Sequence, residues 1–96
     1  MKGLPVHLHS TLKLLQKSFP SGIKDKDISD TVIAHLYEHM SDRQLSQVMS
    51  VFLEINIDEC YNNILRVASE DVGKQALEDI EQVLNNNGFR EWLAED

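Results

Sequence analysis

Apolar side chains recur along this chain at three- and four-residue steps and almost nowhere alternate as a strand requires, so the pattern predicts helices throughout. Breaks at Phe19-Pro20-Ser21-Gly22, Ser41-Asp42-Arg43-Gln44, Asn56 and Ser69-Glu70-Asp71 divide it into helix-sized pieces. The expected fold class is all-α: one domain over residues 1–96, built as a compact bundle of five short helices joined by tight turns, with a short C-terminal turn.

The first piece, Val6 to Ser18, places Leu8, Leu12, Leu15 and Phe19 in one stripe, with Pro5 suited to its opening turn. Pro20 forces Phe19 out of the helical region, and Phe19-Pro20-Ser21-Gly22 reads as a tight turn. The second runs from Ile28 to Met40, with Asp27 as N-cap and a face of Ile28, Val32, Ile33, Leu36, Tyr37 and Met40. Ser41 followed by Gln44 has the spacing of a capping box and starts the third, Asp42 to Ile55. Its apolar arc of Leu45, Val48, Met49, Val51, Phe52, Leu53 and Ile55 is the widest, which predicts the most buried helix. Asn56 opens the fourth, with a stripe of Ile57, Tyr61, Ile64, Leu65 and Ala68. Ser69 is read as the cap of the fifth, whose stripe is Val72, Ala76, Leu77, Ile80, Val83 and Leu84. Asn85-Asn86-Asn87-Gly88-Phe89 then resembles a Schellman stop, with Gly88 left-handed after the cap and Phe89 folded back on Leu84.

Charge adds a polarity that the helices alone do not show. Of a net −7, residues 1–53 carry six basic side chains against five acidic ones, while residues 54–96 carry three against eleven. Such a field repels phosphate backbones and anionic bilayers, so neither nucleic-acid nor membrane partners are expected. Apolar runs stop at two or three residues, and no signal-peptide pattern opens the chain, which points to a cytoplasmic protein. Ninety-six residues suffice for one core without staples, and Cys60, the only cysteine, is expected to be a small buried side chain.

Candidate chemistry is sparse. His35-Leu36-Tyr37-Glu38-His39 matches H-x-x-E-H, which on a helix puts two imidazoles and a carboxylate on one side. A catalytic zinc also needs a third ligand and an enclosing scaffold. Both histidines project to the flank or back of the apolar stripe, so they are expected in solvent; no metal, cofactor or catalytic residue is assigned. A Ser41–Val51 helix-turn-helix would expose too few cations to hold phosphates. The acids Glu78, Asp79 and Glu81, with Glu70, Asp71, Glu91, Glu95 and Asp96, form the expected partner-facing patch, with Trp92 as anchor. The alternative for Phe89 and Trp92 is that both close the core.

Phe19-Pro20-Ser21-Gly22-Ile23, the helix start near Asp27, Met40-Ser41-Asp42, and Val83-Leu84 before Gly88-Phe89 together resemble a family of small all-helical bacterial proteins of unknown function. That family has an F-P-x-G-[IV] turn and a closing L-x-x-x-G-[WF] segment, and Phe89-Arg90 stands where proline would follow the aromatic. The resemblance implies the fold and carries no functional residue. The expected function is therefore that of a non-enzymatic protein–protein interaction module, monomeric or weakly dimeric, with an acidic C-terminal surface. The alternative is an immunity- or antitoxin-like inhibitor of a basic nuclease or toxin.

Overall fold

Capping side chains set three of the helix starts in the computed structural model, which describes residues 4–94. A 3₁₀ turn, Val6–Leu8, leads into α1 (His9–Ser18); α2 (Lys26–Tyr37), α3 (Asp42–Leu53), α4 (Ile57–Ala68), α5 (Lys74–Asn85) and α6 (Phe89–Ala94) follow. No strand occurs among the described residues. The all-α expectation holds, and the short C-terminal turn is a six-residue sixth helix.

Three starts are written by one polar side chain each. Asp25 accepts from the Asp27 N–H at 2.8 Å, Ser41 from the Gln44 N–H at 3.2 Å, and Asn56 from the Asp58 N–H at 2.7 Å. These bonds satisfy donors that a helix start leaves free. The cap of α2 is thus Asp25 instead of Asp27, because an N-cap must precede the first helical residue and Lys26 is already helical. Ser69 is a second correction: its hydroxyl donates to the Arg66 carbonyl at 2.8 Å, closing α4 rather than opening α5. The α5 start falls to Gly73, which has no side chain to offer.

Gly22 and Gly88 make turns by taking positive φ, and Glu54 takes one too although it carries a side chain. The Gly22 N–H donates to the Phe19 carbonyl at 2.9 Å, and Gly22 takes φ +80°. Glu54 closes α3 in the left-handed region at φ 59°, with the Ile55 N–H reaching the Ser50 carbonyl at 3.1 Å. At the end of α5 the Asn87 amide donates to the Val83 carbonyl at 2.7 Å. Gly88, at φ +105°, turns the chain into α6 and accepts the Trp92 N–H on its carbonyl.

The core is one cluster drawn from all six helices: Leu14 and Leu15; Val32, Ile33 and Leu36; Leu45, Val48 and Met49; Cys60, Ile64 and Val67; Ile80 and Leu84; and Phe89. Each large apolar side chain buried there contributes about 1.5–3 kcal/mol. Although the breadth of its apolar arc singles out α3 as central, α2 shares that place. It packs against α3, α4 and α5, whereas α3 packs against α1, α2 and α4. On α1 the buried side chains are Thr11, Leu14 and Leu15, so Leu12 and Phe19 of the expected stripe sit at the flank.

Candidate functional site

Three surfaces carry the chemistry that the fold leaves accessible. The first is the acidic face of α5. Ile80 and Leu84 anchor this helix, which turns Glu78, Asp79 and Glu81 outward into solvent. None of the three forms an ion pair among the described residues; Asp79 accepts a hydrogen bond from the Gln75 amide at 3.0 Å. Glu95 and Asp96, which the sequence adds to this patch, lie outside the described residues.

The second is an aromatic and imidazole cluster where α6 closes the bundle. Phe89 stacks on Trp92 with centroids 5.4 Å apart, His35 lies 5.0 Å from Phe89, and His39 lies 5.6 Å from Phe89 and 6.3 Å from Trp92. Trp92 Nε1–H donates to the buried Thr11 Oγ1 at 2.8 Å, fastening α6 to α1. Phe89 closes the core as one sequence reading has it, and Trp92 is half-buried with its donor engaged inside the molecule. His35 departs from the solvent exposure expected of it. It is half-buried, and its Nε2 is enclosed without a hydrogen-bond partner among the described residues. Burial holds the His35 imidazole below its ordinary pKa and His39 adds to this, while Glu81 and Glu38 oppose it. His39 is exposed, as expected.

Beside this cluster runs an open groove of about 670 Å³, walled by Val6, Leu8, Met40, Trp92 and Leu93, with His7, Gln44 and His39 as its polar edge. The Gln44 amide donates to His7 Nε2 at 3.3 Å across it. Among the described residues no three His, Cys, Asp or Glu side chains converge as metal ligands would. Cys60 is fully buried, and burial, with Glu59 nearby, pushes its thiol up to about 11, far from nucleophilic use.

The third surface lies on α4. Periodicity puts Ile57, Tyr61 and Leu65 on the inner stripe of this helix, yet they stand 46%, 40% and 44% exposed. The helix instead buries Cys60, Ile64 and Val67 against its neighbours. Adding Cys60 and Val67 to the stripe makes the apolar arc of α4 wider than one packing face can cover. That excess was the available signal. On the opposite flank, Arg66 holds Asp30 of α2 through two bonds of 3.0 and 3.2 Å, with Glu70 at 3.3 Å. Lys26 reaches the same Asp30 at 3.1 Å. Partial burial pushes the Asp30 carboxyl up, but the bonds and charges of Arg66 and Lys26 outweigh it and leave it below the ordinary range. This network fixes which flank of α4 faces α2, so the Ile57–Tyr61–Leu65 line is turned away from it.

No family model, curated protein or solved structure matches this chain. No described helix is long and apolar enough to cross a membrane.

Proposed function

We propose that this protein is a non-enzymatic interaction module that docks another protein. The observation that carries this reading is the line of three large apolar side chains, Ile57, Tyr61 and Leu65, standing 40–46% exposed on one helix. Scattered exposed apolar residues need no explanation, but an aligned set on a helix is the form a partner surface takes. The exposed acids Glu78, Asp79 and Glu81 add an electrostatic component that accelerates encounter with a basic partner. Trp92 enters the proposal as a wall of the α6 groove, since its ring donor is already bonded to Thr11.

Affinity purification of the tagged full chain from its native cell tests the proposal. A stoichiometric partner that Tyr61→Asp or the triple reversal Glu78→Lys, Asp79→Lys, Glu81→Lys releases is the expected result. Failure to recover any stoichiometric partner at both low and high salt would refute it.

The inhibitor reading has its own support in the acids of α5, which form no ion pair among the described residues and present a phosphate-like row of charge to a basic nuclease. Under that reading the triple reversal abolishes protection against the nuclease while the helical circular dichroism stays unchanged, and Tyr61→Asp has no effect.

A further inference from the structure

We infer that the exposed face of α4 receives a basic, amphipathic helical segment of another protein. The inference rests on the interaction-module reading and assigns that reading a docking face and a class of partner.

Position, charge and area each narrow the occupant. Ile57, Tyr61 and Leu65 follow one another at four-residue steps, and exposed Ala68 continues the line, so the strip runs about 16 Å along the helix axis. A straight strip of that length is matched by a second helix presenting apolar residues at three- and four-residue steps. Acids frame both of its ends: exposed Glu54 and Asp58 at the start, exposed Asp71 beyond the finish. The single cation between Glu54 and Gly73 is Arg66, and it is bonded to Asp30 and Glu70 on the other flank.

Area alone does not supply a stable complex. Three side chains at 40–46% exposure offer on the order of 250 Å² if each free residue presents roughly 200 Å². A stable interface takes about 800 Å² per partner. The acidic frame must therefore contribute, and it does so only toward positive charge. A second copy of this chain would bring acid against acid along the same strip, and an anionic bilayer would be repelled in the same way.

The test uses the full chain and two 18-residue amidated peptides with one leucine pattern of helical period, the polar positions all lysine in one and all glutamate in the other. Binding is followed by amide chemical shifts in labelled protein. The leucine–lysine peptide is expected to saturate, with shifts confined to residues 54–71. Its affinity should fall at least tenfold between 50 and 500 mM salt, and at least tenfold in Leu65→Asp and Tyr61→Asp. Both substituted side chains are already part-exposed, and unchanged circular dichroism verifies that each variant is folded. The leucine–glutamate peptide should not bind.

Equal binding of both peptides would overturn the charge argument. Shifts centred on Glu78, Asp79 and Glu81 would overturn the docking face while leaving the broader module reading intact. Concentration-dependent sedimentation that Leu65→Asp abolishes would show that a second copy covers the strip. Absence of any binding by the lysine peptide also defeats the inference, whereas the broader reading fails only if no partner is recovered from the cell.

Discussion

Removing the Trp92–Thr11 hydrogen bond should loosen the whole C-terminal end of the bundle, and a double-mutant cycle measures by how much. The bond is 2.8 Å long, and Thr11 is only 2% exposed, so its hydroxyl cannot turn to bulk water when the indole is gone. A neutral hydrogen bond contributes about 1 kcal/mol net, whereas removing one partner and leaving the other buried and unmatched costs about 1–3 kcal/mol. Trp92→Phe should therefore cost about 2–3 kcal/mol, including lost ring area against Phe89. Thr11→Val, nearly the same shape, should cost about 1–2 kcal/mol, because the half-buried indole regains some water. The double variant should be less destabilised than the sum by about 1 kcal/mol. For a domain of this length 1 kcal/mol moves the melting temperature by about 4–8 °C, so Trp92→Phe should lower it by roughly 10–20 °C. Urea unfolding followed by far-ultraviolet circular dichroism suits the measurement, since the fluorophore itself is removed. A six-residue helix has no stability of its own, so α6 depends on Phe89 and Trp92 to stay docked. Additivity within about 0.5 kcal/mol would refute the claim that this bond fastens α6.

Other perturbations test separate parts of the structure. Glu54→Gly relieves a left-handed glutamate at φ 59° and should raise stability by about 0.5–1 kcal/mol, read as a higher urea midpoint at constant slope. Because the Asp30 carboxyl is held below its ordinary 3.8, its stabilisation is present above that value and is lost as pH falls through the lower folded-state value. Asp30→Asn should therefore be less stable at pH 7 and show a shallower loss in acid titrations below pH 4. His35 is also held below its ordinary value, here 6.5, so protonation favours the unfolded chain. Wild-type stability should be full above about pH 6.5 and decline as pH falls toward the lower folded-state value. His35→Phe, which also removes an enclosed unpartnered nitrogen, should abolish that slope in pH-dependent melting. Cys60, buried with a thiol near 11, should react with a disulfide reagent at pH 8 only at the rate of unfolding, so reaction within seconds would contradict its burial.

Helix positions, turn chemistry and fold class are local matters, and they could be read from residue order. Pro20 ends α1 by steric exclusion, Ser41 and Asn56 start helices by satisfying donors two or three residues away, and Gly88 turns left-handed where a side chain would be strained. The accessible acids of α5 were equally legible, since Ile80 and Leu84 leave them no inward direction. Where two nearby residues competed for one role, local chemistry was ambiguous: Asp25 prevailed over Asp27 because the chain enters α2 two residues earlier, and Ser69 served the helix before it.

Choices between flanks belonged to packing. The apolar arc of α4 exceeds one contact face, and periodicity has no means of ranking two flanks of the same helix. Docking against α2 and α3, with Arg66 bonded to Asp30 across 36 residues of sequence, selected Cys60, Ile64 and Val67 for the interior and left Ile57, Tyr61 and Leu65 outside. The same holds for His35, whose spacing promised solvent until Phe89, from the far end of the chain, closed over it. A residue's burial depends on what arrives opposite it, and that partner is set by the global arrangement of helices.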